Sequence, residues 1–123
     1  MSKKNILIVE DDQFFRELLK KKLTSVGFSI IEASNGEDGI EKVKSKKPDL
    51  IILDLLLPNI DGFEVLSKVK TSSDTSSTPV IIVSNLGQQE DIEKGMKLGA
   101  NDYLIKSQFD IESIVSKINN ILK

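Results

Sequence analysis

The sequence predicts an α/β protein, a doubly wound five-stranded parallel sheet carrying five helices. Three observations lead there. Short apolar runs rich in Ile and Val recur along the chain, stretches of helical period separate them, and breakers fall at the junctions.

The first run is NILIV (5–9). A helical stretch follows over 13–26, where Phe15, Leu18, Leu19, Leu23 and Val26 share a face and Gly27 closes the helix. FSIIEA (28–33) is the second strand; a helix over 36–46 follows and ends at Pro48. DLIILD (49–54) leads to a helix over 62–71, whose apolar positions are Phe63, Leu66 and Val69. The polar loop TSSDTSSTP (71–79) feeds the fourth strand, PVIIVS (79–84). The helix over 88–98 has a thin stripe, mainly Ile92 and Met96, with Gly95 inside it and Gly99 after it. So little apolar surface gains little from packing, and this helix is expected to be mobile. DYLIK (102–106) is the fifth and weakest strand. The helix over 110–122 carries the cleanest stripe: Ile111, Ile114, Val115, Ile118, Ile121 and Leu122. Runs this short and this apolar suit a parallel sheet covered on both faces, joined by right-handed crossovers.

A chain of 123 residues is expected to form one domain, 1–123, with no output domain. It has neither cysteine nor histidine. Disulfides, thiolate or imidazole metal sites and histidine base catalysis are therefore excluded. Seventeen basic residues against nineteen acidic ones give a net charge of −2, which argues against direct nucleic-acid or membrane partners. No signal peptide or membrane-length apolar run is present, so a cytoplasmic location is expected.

Ligands of doubly wound sheets bind beyond the carboxyl ends of the strands. There the sequence places Glu10 and Asp11 after the first strand, Asp54 after the third, Ser84 after the fourth and Lys106 after the fifth. Carboxylates clustered without Cys or His suit Mg²⁺, with Mn²⁺ possible. A carboxylate held beside such a cation is a candidate nucleophile toward phosphorus, giving an aspartyl phosphate. Lys106 and Ser84 then suit phosphoryl oxygens. Taken singly, each residue has a plainer reading: Asp54 a solvated strand end, Lys106 a surface lysine, Ser84 a turn residue. For Asp12 the plainer reading, a helix N-cap, is the better one.

ILIVEDD, DLIILDLLLPNIDGFEVL, PVIIVS and GANDYLIK occur in this order. From Asp11 to Asp54 are 43 residues, from there to Ser84 are 30, and on to Lys106 are 22. In these motifs and spacings the chain resembles the response-regulator receiver domains of two-component signalling. The resemblance implies a flavodoxin-like strand order of 2-1-3-4-5. It implies that Asp54 is the phosphoacceptor and that Glu10, Asp11, Asp54 and the Leu56 backbone carbonyl hold the metal. It makes Ser84 the switch hydroxyl, Tyr103 the aromatic that follows it, and Lys106 the phosphate-pairing cation. The implied partner is a histidine kinase or histidine phosphotransfer protein, and phosphorylation would switch the surface around the fourth and fifth helices. The domain would assist its own phosphorylation and dephosphorylation without being a turnover enzyme.

Two positions depart from the family pattern. Asn85 follows the switch hydroxyl where a small residue is usual. Ser107 follows Lys106 where the family commonly has a cis-proline. A cis bond without proline costs about 2.5–4 kcal/mol, so Lys106–Ser107 is expected to be trans. These departures sustain an alternative, an unphosphorylated receiver-like interaction module. An aspartate-nucleophile phosphatase would need an acid where Leu56 stands, and a flavodoxin-like nucleotide binder would need a Gly/Ser/Thr-rich loop where EDDQ stands. Leu56 and Leu86 are apolar and are expected to shield the phosphorus from water, which predicts slow self-dephosphorylation.

Overall fold

A computed structural model describes residues 3–108 and 110–123. Five strands, β1 (Asn5–Val9), β2 (Ser29–Ala33), β3 (Leu50–Leu53), β4 (Val80–Ser84) and β5 (Asp102–Ile105), alternate with five helices. These are α1 (Gln13–Ser25), α2 (Gly36–Lys46), α3 (Gly62–Thr71), α4 (Gln89–Lys97) and α5 (Ile111–Leu122). All strand pairs are parallel, in the order β2-β1-β3-β4-β5. No helix among the described residues is long and apolar enough to cross a membrane.

The period of two along each strand divides the core. Leu7 and Val9 of β1, Ile51 and Leu53 of β3, and Val80 and Ile82 of β4 pack on one face with Val43 of α2 and Val65, Leu66 and Val69 of α3. Ile6, Ile8, Leu50, Ile52, Ile81 and Val83 pack on the other, against Leu19 and Leu23 of α1 and Ile114 and Ile118 of α5. A sheet buried on both faces explains why its strands read as unbroken apolar runs. Helix boundaries follow local chemistry. Asp12, Asn35, Asp61 and Asp110 each accept a backbone N–H at the start of α1, α2, α3 and α5. Gly27 and Gly99, with φ of 107° and 112°, turn the chain out of α1 and α4.

Three apolar residues lie elsewhere than their helical stripe predicts. Leu18 is exposed because the α1 face that meets the sheet is centred on Leu19 and Leu23. Val26 is exposed because it is the C-cap, with φ −99° and ψ 10°, and no longer follows the helical period. Met96 is exposed because α4 meets the sheet at Gly95, the helix's buried residue. A Cβ built there would lie 2.7 Å from Ile82 Cδ1 and 3.3 Å from the Tyr103 ring, so the glycine is what lets the helix approach.

Candidate functional site

Strand alternation builds the site. Glu10 lies two residues after Ile8, Asp54 two after Ile52 and Lys106 two after Leu104, and those three apolar residues all pack on the α1/α5 face. Continuing the alternation by one step carries an acid, an acid and an ammonium onto that same side. There Lys106 Nζ bridges the two acids, 2.7 Å from Glu10 Oε1 and 3.1 Å from Asp54 Oδ2. The ammonium also stands 4.5 Å from the centre of the Phe15 ring.

Both acids are withdrawn from water: Glu10 is 2% exposed and Asp54 4%. Their other oxygens are bonded as well. Asp54 Oδ1 accepts the Leu56 N–H at 3.2 Å, and Glu10 Oε2 accepts the Asp12 N–H at 3.0 Å. Asp11 is exposed. Carboxylate oxygens of Glu10, Asp11 and Asp54 lie within 4.8 Å of one another. Three hard oxygen donors, one of them open to solvent, fit a small divalent cation such as Mg²⁺.

Desolvation pushes the Glu10 carboxyl up to about 7 from 4.5; the bonds from Lys106 and the Asp12 N–H oppose this and the Asp54 charge adds to it. Burial alone would lower the Lys106 pKa, but the bond to Glu10 and the charge of Asp54 outweigh it and the net direction is up. Lys106 is therefore a fixed cation. A carboxyl with a raised folded pKa binds a proton more readily in the folded chain than in the unfolded one. Stability is then greatest below pH 4.5 for this group and falls as pH rises toward about 7. Glu32, held low by Lys20 and then Arg16 against some desolvation, gives the opposite slope, but below 4.5. We expect the metal-free melting temperature to fall from pH 5 to about 7 and Glu10→Gln to flatten that fall. Thermal scans in EDTA across that window check this; an equal slope in the variant would refute it.

Ser84 is fully buried at the end of β4, where its Oγ accepts the Leu86 N–H at 3.3 Å. Tyr103 donates its hydroxyl to the Leu86 carbonyl. Desolvation, with the charges of Asp91 and Asp54, pushes this phenol up to about 12, so it remains a donor. Ser84 and Tyr103 thus hold the same short segment after β4. Leu86 packs against the core beside them. Leu56, 51% exposed, stands free beside Asp54. No described peptide bond is cis, so Lys106–Ser107 is trans, and the ammonium reaches both acids without a proline after it. Asn85 is exposed.

Two contributors escaped the sequence reading. The helical stripe predicts only a core role for Phe15, yet its ring lies against the Lys106 ammonium. Arg16 donates from Nη1 to the Glu10 carbonyl at 2.8 Å and from Nε to Glu32 Oε1 at 3.1 Å. The available signal was a cation about one turn from a helix N-terminus, which runs against the macrodipole and needs another partner.

Known proteins resemble this chain in sequence and in fold. Response regulator ArlR of Staphylococcus aureus is 40% identical over 118 residues, 96% of this chain and 52% of that protein. A putative response regulator from Chloroflexus aurantiacus, 32% identical, superposes with a TM-score of 0.92 over 98% of both chains. The receiver domain of a sensor histidine kinase from Pseudomonas aeruginosa, crystallised with magnesium in its active-site cleft, has the same fold at 24% identity, with a TM-score of 0.87 over 97% of both chains. The chain spans about half the length of the curated relatives it matches. Residues 6–119 match the family model of the response regulator receiver domain, and the chain belongs to that family of two-component signalling modules.

Proposed function

We propose that Asp54 accepts a phosphoryl group from a phosphohistidine and that the modified domain then presents a changed surface to a downstream partner. The observation that carries this is the Lys106 ammonium bridging Glu10 and Asp54, with Asp11 in reach of the same point. The chain has no histidine, so a histidine kinase or histidine phosphotransfer protein must supply it. Such partners and a cytoplasmic setting fit the family.

An Asp54 oxygen attacks phosphorus; the O–P bond forms as the N–P bond of the donor breaks, and the imidazole leaves with the bonding pair. Glu10, Asp11, Asp54 and the Leu56 carbonyl would hold Mg²⁺, which when bound neutralises charge between the carboxylates and the incoming phosphoryl oxygens. Lys106 exchanges its bond to Asp54 for one to a phosphoryl oxygen. Ser84 turns its hydroxyl toward another and releases the Leu86 N–H. The Tyr103 bond to the Leu86 carbonyl then transmits that change to α4, which meets the sheet through Gly95. Phosphorylation in this way biases an existing equilibrium between two arrangements. Each domain carries one phosphoryl group and turns over no separate substrate.

Mass spectrometry after incubation with acetyl phosphate and Mg²⁺ tests the reading. One acyl phosphate per chain, absent in EDTA, is expected. An unmodified chain would favour the interaction-module alternative. Ser107 and Asn85 lend that alternative little support, since Lys106 stands in place and Asn85 is exposed.

The lifetime of the acyl phosphate is expected to be long. Leu56 cannot orient an attacking water by hydrogen bonding and covers the approach near Asp54. Leu56→Asn should speed phosphate release several-fold, which a barrier drop of about 1 kcal/mol suffices to produce. An unchanged release rate from the purified phosphoprotein would remove Leu56 from the account.

A further inference from the structure

Of the seventeen basic residues, one is an arginine, Arg16. In a chain that otherwise uses lysine, that residue stands where a fork is required. Its Nη1 donates to the Glu10 carbonyl at 2.8 Å and its Nε to Glu32 Oε1 at 3.1 Å. The side chain is 15% exposed. A single ammonium gathers its acceptors around one nitrogen, as Lys106 does, whereas the guanidinium reaches these two from separate nitrogens of one rigid plane. Lys20 holds the second oxygen of Glu32 at 2.9 Å.

The carbonyl that Arg16 grips belongs to the peptide joining Glu10 to Asp11. Glu10 is already fixed elsewhere: its N–H donates to the Ala33 carbonyl, and its carboxylate takes Lys106 and the Asp12 N–H. Asp11, exposed, has no cation partner among the described residues. The backbone from which its side chain leaves is oriented by the plane of that peptide. We infer that Arg16 is a positioning residue, fixing the angle between the Glu10 and Asp11 carboxylates so that both address one divalent cation. This rests on the metal reading proposed above.

Charge and geometry predict opposite signs. Removing a cation near the acids would by itself tighten Mg²⁺ binding. Releasing the peptide plane would weaken it. Arg16→Lys keeps the charge and loses the fork, so we expect its Mg²⁺ affinity by isothermal titration to fall about ten-fold, the low end of the ~10–100-fold typical when an outer partner of a metal ligand is lost. Lys20→Met also breaks an ion pair to Glu32 but leaves the carbonyl grip, and its Mg²⁺ affinity should match wild type. In EDTA, ¹⁵N relaxation should show the Asp11 and Asp12 amides of Arg16→Lys more mobile than in wild type. Wild-type affinity in Arg16→Lys, tighter binding in Arg16→Gln, or equal weakening in Lys20→Met would each overturn the inference. If the wild-type chain binds no Mg²⁺, the functional reading fails, and the relaxation measurement in EDTA alone decides whether Arg16 holds this peptide: unchanged amides overturn it, mobile ones support it.

Discussion

Asp54→Asn is expected to abolish acyl-phosphate formation while leaving the chain folded. The two side chains have nearly the same shape, and the Asn oxygen can still accept the Leu56 N–H that Asp54 Oδ1 accepts at 3.2 Å. What is lost is the nucleophile, because an amide presents no anionic oxygen to phosphorus. Neither neighbouring acid is a ready substitute. Glu10 is buried and holds Lys106 at 2.7 Å, and Asp11 lacks the ammonium that would meet the transferred group. With acetyl phosphate and Mg²⁺, the hydroxylamine-sensitive mass increment should fall at least about a hundred-fold, equivalent to about 2.7 kcal/mol of lost transition-state stabilisation. Wild-type incorporation in the variant would show that Asp54 is not the acceptor, and peptide mapping would then locate the residue that is.

Most of the site was legible because strand ends obey a simple rule. Glu10, Asp54 and Lys106 each end an apolar run, and parallel strands align their ends on one edge of the sheet. The period of two then assigns all three to one face, where the ammonium meets both acids. Helical faces were less legible. Leu18, Val26 and Met96 all satisfy a stripe, yet the contact that α1 and α4 make with the sheet is narrower than the stripe, and at α4 it centres on a residue with no side chain. Arg16 was missed because its partners, a backbone carbonyl and a glutamate sixteen residues away, are tertiary contacts that no local pattern encodes.

Gly62 illustrates how a residue without chemistry of its own can govern the site. It opens α3, and its N–H donates to the Leu55 carbonyl at 2.9 Å. A Cβ at this position would lie 2.3 Å from the Asp54 carbonyl oxygen and 2.4 Å from Leu55 Cα. Both obstacles are backbone, so no rotamer change relieves them. Either α3 withdraws from the sheet, losing the packing of the buried Val65 and Leu66, or the Asp54–Leu55 peptide shifts and carries the acceptor away from Lys106. Gly62→Ala is therefore expected to cost about 3 kcal/mol or more, the upper end of overpacking penalties, even though alanine is the better helix former by about 1 kcal/mol. In a domain of this size that corresponds to a melting temperature lower by about 10 °C. Gly95→Ala is the informative comparison, because its closest obstacle, Ile82 Cδ1 at 2.7 Å, is the end of a flexible side chain that can move aside. Urea denaturation of the two variants should therefore rank Gly62→Ala well below Gly95→Ala. The reverse order would show that α3 yields more easily than its contact with the Asp54 peptide implies.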